Sequence, residues 1–269
     1  TGGNGQLATT FESLFKAKFN LISLDSSEFD ITNKLEVREN LRKINPDIIL
    51  NCAAYTNVDG AENDFERANK VNSEGIKNIL FEFSNLFIHI STDYIFDGIN
   101  GPYSENDKSN PINNYGLSKL NGEKIALEMA QKLVLIRANV IFDLDSKSSF
   151  LGWVIKSLKN KKEISVVNDQ YGNPIWSFDL AKMIYQIIKN KKTGIFNIGT
   201  DKIISRYEFA KMIAKEWQLD SNLIKPISTD ILKEKNKNYI APRPLNSGLL
   251  IRDEFPKISL RESLVNLKK

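Results

Sequence analysis

The feature that most constrains this chain is an alternation of short β-branched runs with longer amphipathic ones. Phe19 to Leu24, Ile48 to Asn51, Leu86 to Ile90 and Leu133 to Arg137 have the length and composition of buried strands, and helical periodicity lies between them. Strand and helix in alternation require right-handed crossovers, which lay helices on both faces of a parallel sheet. The expected class is therefore α/β, a doubly wound parallel sheet. No internal repeat or low-complexity linker interrupts it.

After Val140 the rhythm changes. A helix is expected from about Phe150 to Leu158, a strand at Ile164 to Val167, a helix from Ser177 to Lys189 and a strand at Ile195 to Ile198. Ser205-Arg206-Tyr207-Glu208 has the form of a capping box before a helix running to Trp217. The remaining tail, punctuated by Pro226, Pro242, Pro244 and Pro256, reads as loop-rich. This divides the chain into a dinucleotide-binding domain at 1–145 and 167–200 and a small substrate-binding lobe at 146–166 and 201–269, set over the carboxyl edge of the sheet.

The opening Thr1-Gly2-Gly3-Asn4-Gly5-Gln6-Leu7-Ala8 places glycines where a strand turns into a helix. Backbone amides can there approach a pyrophosphate at the positive end of the helix. Asp25 ends the next expected strand at the spacing from which a carboxylate accepts the adenosine ribose hydroxyls, and it would repel a 2′-phosphate. The cofactor expected is NADH or NADPH, with NADH slightly favoured; a plain turn role for Asp25 is the alternative. This makes the sheet Rossmann-type. A fingerprint of this kind follows a strand, so a few residues upstream of Thr1 are expected.

Tyr115-Gly116-Leu117-Ser118-Lys119 sets a phenol and an ammonium on one face of a helix entered through Pro111. Ketone reduction by a nicotinamide delivers hydride to carbon while oxygen gains charge, so an acid must give that oxygen a proton. A free phenol, with a pKa of about 10, holds its proton too tightly. A nearby Lys119 ammonium is expected to lower it. Ser91-Thr92-Asp93 follows a strand and can present the Thr92 hydroxyl beside Tyr115, while Asn51-Cys52-Ala53-Ala54 follows another and leaves room for a cofactor. Alone, Tyr-x-x-x-Lys also suits an ordinary surface pair.

In order and spacing, Gly-x-x-Gly-Gln-Leu, Asn-x-Ala-Ala-Tyr-Thr-x-Val-Asp, Ser-Thr-Asp-Tyr-Ile-Phe-Asp-Gly, Tyr-Gly-x-Ser-Lys-Leu-x-Gly-Glu, Asp-Gln-x-Gly-x-Pro and Arg-Pro-x-Asn-Ser resemble the extended short-chain dehydrogenase/reductases. Within that family they are most similar to the branch that reduces 4-keto-6-deoxyhexoses carried on a nucleotide, with a rhamnose donor as product. The resemblance spans Thr1 to about Leu249. It implies Tyr115 as proton donor, Lys119 as its partner and ribose anchor, and Thr92 as the hydroxyl on the 4-keto oxygen. It implies Gly2, Gly5, Gln6 and Leu7 at the pyrophosphate, Asp25 at the adenosine ribose, Asp30 and Ile31 near adenine, and Ala53, Ala54 and Tyr55 along the nicotinamide. Val58, Arg243 and Asn246 fall where family members meet the nucleotide-sugar, Arg243 having a fork suited to a diphosphate. The chain departs from the pattern at Arg137-Ala138-Asn139-Val140, where relatives commonly have Arg-Thr-Ser-Trp, so the aromatic wall for the deoxysugar is missing; Pro174-Ile175 replaces Pro-Thr. These departures leave another 4-keto-6-deoxy sugar nucleotide open.

Composition removes other classes. Lys and Arg number 37 against 33 Asp and Glu, and both signs are interspersed. The runs Lys159 to Lys162 and Lys189 to Lys192 suit solvated helix ends, so no nucleic-acid partner is expected. No apolar run is long enough to span a bilayer, and the single Cys52 suits a reducing compartment, so a cytoplasmic protein is expected. His89, alone of its type, reads as a packed strand residue; Glu62, Asp64 and Glu66 as a solvated helix start; Trp153, Trp176 and Trp217 as packing. No metal is expected, and a homodimer is the assembly to test for. Two other functions stay open: a cofactor-binding regulatory subunit like the β subunit that accompanies methionine adenosyltransferase, and a sugar-nucleotide epimerase or dehydratase, with Asp93 as its acid.

Overall fold

The structure, a computed structural model, describes residues 1–144 and 149–269. In chain order the elements are α1 (Gln6–Phe15), α2 (Lys34–Ile44), β1 (Ile48–Asn51), α3 (Val58–Asn63), α4 (Phe65–Asn69), α5 (Gly75–Glu82), β2 (Leu86–Thr92), α6 (Asn114–Met129), β3 (Lys132–Phe142), α7 (Phe150–Lys159), β4 (Ile164–Val167), β5 (Tyr171–Gly172), β6 (Pro174–Trp176), α8 (Ser177–Lys189), β7 (Gly194–Ile198), β8 (Ile204–Ser205), α9 (Arg206–Glu216), β9 (Ile224–Ile227), α10 (Thr229–Lys235) and α11 (Leu260–Lys268). A single π-helical turn, Lys70–Glu74, leads into α5.

β1, β2 and β3 lie side by side and parallel. β7 pairs with the first half of β3 and β6 with its second half, again parallel. Because side chains alternate across a strand, Phe87 enters a core with α2, α5 and α6 while Ile88 enters another with α1 and α8. Both side chains are fully buried, and each such burial contributes roughly 1.5–3 kcal/mol. Two-sided burial explains why these strands read as continuous apolar runs, and the doubly wound Rossmann-type class stands.

One expected strand is absent. Phe19–Leu24 is extended but unladdered: its one sheet-like backbone bond is Gly3 N–H to Leu24 O (2.9 Å). Across from it, Thr1 reaches β1 through Leu50 O (2.9 Å) and Cys52 N–H (3.3 Å). Thr1–Gly3 thus lies between this run and β1.

The two faces of the central sheet together make the first core; a second core gathers Phe142 of β3 with residues of α7, β4, α9, β9 and α11. β4 and β9 form their own parallel pair, and the capping box at Ser205 and Glu208 is made as expected. The tail is more regular than its prolines suggest. Ser228 caps α10 by accepting from Ile231 N–H, and Ser259 caps α11 by accepting from Glu262 N–H. Trp176 and Trp217 pack against this core, but Trp153 is 44% exposed and is not core. The lysine-rich runs do follow the ends of α7 and α8. The boundary expected at 145/146 lies outside the described residues. Among the described residues no helix is long and apolar enough to cross a membrane.

Candidate active site

The site is organised by how α6 docks. Asn113 accepts from Gly116 N–H (2.7 Å) as its cap, and Glu62 accepts from Asn114 N–H (2.7 Å). Glu62 is thus more than a solvated charge: it satisfies an orphan donor at the start of the helix. A Cβ on Gly116 would collide with Tyr94 O, and one on Gly122 with Asn72 O. Both glycines let α6 lie against backbone, Gly116 on the loop after β2 and Gly122 on the π-helical turn. That approach sets Tyr115 beside Thr92, with the Tyr94 ring edge-on to the phenol at 5.7 Å.

One turn on, Lys119 is buried against β2, donating to Ile90 O (2.7 Å) with its Nζ 3.4 Å from His89 Nε2. Burial lowers the Lys119 ammonium to about 8, against the opposing pull of Glu123 and Cys52. The Tyr115 phenol moves the other way, pushed up by burial. The expectation that Lys119 depresses the phenol is not met in this structure, where two of the lysine's three donors are turned to β2.

Two buried networks hold the carboxyl end of β2. Glu123 pairs with Arg137 through two bonds, 2.8 Å and 3.1 Å, and accepts from the Ser91 hydroxyl. Asp93 accepts from the Thr92 hydroxyl (3.1 Å), from Asn139 Nδ2 and from the Ser247 hydroxyl. Burial raises the Asp93 carboxyl to about 6 despite these bonds and despite Arg206.

On the expected cofactor side, Gly5 caps α1 without a side-chain bond, the first turn holds no acidic residue, and Gln6 Nε2 is buried without a partner. Open amides and an orphan donor at a helix N-terminus fit a pyrophosphate. Leu7 turns its side chain into the core, leaving only its backbone for that task. Asp25 is half-buried, bound by Asn4 and by the amide (2.8 Å) and hydroxyl of Ser27, and these bonds hold its carboxyl below the usual range. Asp30 accepts from Thr32 N–H (2.9 Å), and Ile31 is buried under Gly75. Ala53, Ala54 and Tyr55 follow β1, with the Tyr55 backbone bonded at both its amide and carbonyl by Asn72.

Val58 starts α3, and the next residue, Asp59, grips Arg243 through two bonds of 3.1 Å and 2.7 Å. Arg243 also lies over the Tyr239 ring, 4.4 Å from its centroid. Its fork is thus largely filled from within the chain, leaving Nε and one N–H of Nη2 for a ligand. Asn246 donates to Gly101 O (2.8 Å) and lines a cavity of about 340 Å³ with Asp169, Tyr171 and Leu245. Val140, where relatives commonly place an aromatic wall, has φ +42° at a register shift in β3 and packs toward the second core. Ile175 is fully buried in the first core, so that departure concerns packing rather than the cleft.

The family model described as the RmlD substrate binding domain matches residues 1–258. The chain belongs to the RmlD family. This RmlD-family chain is 32% identical over 261 residues to the dTDP-4-dehydrorhamnose reductase of Aggregatibacter actinomycetemcomitans, covering 93% of itself and 88% of that relative. It is 31% identical to the spore coat polysaccharide biosynthesis protein SpsK of Bacillus subtilis, covering 93% and 87%. Among solved structures it superposes on the Bacillus anthracis dTDP-4-dehydrorhamnose reductase in complex with NADP at a TM-score of 0.93, with 31% identity and 99% and 96% of the two chains covered. The Clostridium acetobutylicum dTDP-4-dehydrorhamnose reductase gives 0.91 at 32% identity, covering 99% and 96%.

Several groups of the RmlD-family site escaped sequence reading. Asn51, Asp59 and Gln170 lie inside quoted motifs without assigned partners, and Tyr239, to which Gln170 is bonded at 2.6 Å, belongs to the tail read as loop-rich. Their partners are distant in the chain, and no local spacing encodes such pairs.

Proposed function

We propose that this chain is an NAD(P)H-dependent oxidoreductase that reduces the 4-keto group of dTDP-4-dehydrorhamnose to give dTDP-L-rhamnose, a donor for polysaccharide synthesis. The observation that carries this reading is that Tyr115 lies beside Thr92 at the carboxyl end of β2, one helical turn from Lys119. The bound dinucleotide supplies hydride to the carbonyl carbon. Thr92 and Tyr115 hold the carbonyl oxygen, and Tyr115 gives it a proton as charge develops there. Lys119 faces the phenolate left behind and steadies it until a proton returns. Gly2, Gly5, Gln6 and Leu7 supply the pyrophosphate turn, with Asp25, Asp30 and Ile31 at the adenosine end and Ala53, Ala54 and Tyr55 along the nicotinamide. Val58, Arg243 and Asn246 face the nucleotide-sugar.

The epimerase or dehydratase reading needs a free acid beside Thr92, and the Asp93 carboxylate is instead engaged by three donors. The regulatory-subunit reading gives no reason for keeping Thr92, Tyr115 and Lys119 together. At the adenosine end, Asp25 has no cation bonded to it among the described residues to offset a 2′-phosphate and tilts the site toward NADH, while the Bacillus anthracis relative is in complex with NADP. We place the dinucleotide domain at 1–145 and 167–200 and the substrate lobe at 146–166 and 201–269, with a homodimer in the cytoplasm as the working form.

The test is loss of reduced-nicotinamide absorbance on adding dTDP-4-dehydrorhamnose, run separately with NADH and NADPH. Oxidation with either supports the reading, and the ratio of the two kcat/KM values decides the cofactor. No oxidation with either, by protein that binds the dinucleotide, would sink it.

A further inference from the structure

Nothing in the sequence pairs His89, the chain's single histidine, with a partner. In the structure it is fully buried in β2, its ring stacked on Phe87, with Nδ1 3.1 Å from the side-chain amide of Asn51 and Nε2 3.4 Å from Lys119 Nζ. Asn51 and His89 are register partners on β1 and β2, so the sheet itself fixes their spacing. Lys119 is then held from two sides of β2, by Ile90 O and by the imidazole, which leaves one N–H of its ammonium for the site.

We propose that His89 is a positioning residue for Lys119, a neutral Nδ1–H imidazole whose Nε2 accepts a hydrogen bond from the lysine ammonium while Asn51 fixes the tautomer from the other side. This rests on Lys119 acting as the partner of Tyr115. An ammonium has only donors, so the ring nitrogen that faces it must offer a lone pair. The proton then belongs on Nδ1, and Asn51 must present Oδ1 to it. The two ends of an amide exchange places by a simple flip, after which Asn51 Nδ2 donates to the Thr1 hydroxyl, whose oxygen lies 2.6 Å from that end of the amide. The opposite tautomer sets N–H against N–H unless Lys119 is a neutral amine. Burial and the lysine charge hold the imidazole well below its ordinary pKa, so it stays a neutral acceptor. The other titratable groups acting on Lys119 are Cys52 after β1 and, on α6, Glu123, which is already paired with Arg137. His89 is therefore the neutral acceptor that keeps Lys119 both charged and aimed.

Because the chain has one histidine, imidazole ¹⁵N spectra of this chain contain a single residue and report its tautomer directly. The expected result near neutral pH is a protonated Nδ1 and an unprotonated Nε2, with the Nε2 resonance displaced in Lys119→Met. An Nε2–H tautomer, or a histidine that titrates near its ordinary value, would overturn the proposal without any variant having to fold. In turnover, His89→Phe keeps a ring against Phe87 and removes the acceptor. Hydrogen bonds to charged groups imply that the basic limb of its kcat–pH profile moves down by about one to two pH units, with recovery in His89→Gln. An unmoved limb in a folded Phe variant also overturns it. Wild-type protein that shows the expected tautomer but does not oxidise cofactor with the sugar nucleotide would count against the proposed activity and leave the histidine assignment standing.

Discussion

Replacing Arg137 by Met isolates the worth of the buried pair behind β2. Glu123 and Arg137 have side chains only 1% and 5% exposed, so removing the guanidinium leaves a carboxylate in the interior with the Ser91 hydroxyl as its remaining donor. Breaking one side of such a pair costs about 3–5 kcal/mol, most of it the stranded charge rather than the lost bond. For a chain of this size that corresponds to a fall in Tm on the order of 10 °C. The double variant Arg137→Met/Glu123→Gln removes the stranded charge and should regain most of the loss. A residual of about 1 kcal/mol remains, because Arg137 also donates to Glu105 O (3.1 Å) and lies over the Phe96 ring. Urea unfolding of the wild type and the two variants, with matched m-values, gives the three free energies. A single-variant loss under about 1 kcal/mol, or a double variant no more stable than the single, would refute the account of Glu123 as a charge that needs Arg137.

Tyr115→Phe should bind the dinucleotide as the wild type does and lose roughly 10²–10⁴-fold in turnover, the usual share of a positioned acid; titration of cofactor fluorescence beside steady-state rates checks both halves. Asp93 carries a pH signature of its own. Its carboxyl is raised from 3.8 to about 6 in the folded chain, so it contributes stability below pH 4 that is lost as pH rises through 6, and the stability difference between wild type and Asp93→Asn should fall over that window and level off above it. A difference that is flat with pH, measured by urea unfolding, would mean that the carboxyl ionises normally.

The architecture was legible because buried parallel strands and amphipathic helices leave different periods, and Ser177–Lys189 and Ile164–Val167 were bounded to the residue. Tyr115 and Lys119 were legible through their helical spacing, whereas the direction in which Lys119 points is set by His89 and Ile90 on another element. Likewise Arg243 was read as a free fork because Asp59, its partner, lies 184 positions away. Trp153 was read as packing from its type alone, and its exposure depends on which face of α7 meets the second core.

β3 begins among the strands of the central sheet and ends with Phe142 inside the second core, passing from one to the other at the left-handed Val140. It is an axle shared by two bodies rather than a tether between them. The second core therefore cannot be lifted out and exchanged as a cassette, since any cut at the joint severs a strand that both bodies need. Changes of sugar preference in this scaffold have to be made in place, side chain by side chain, around the joint itself.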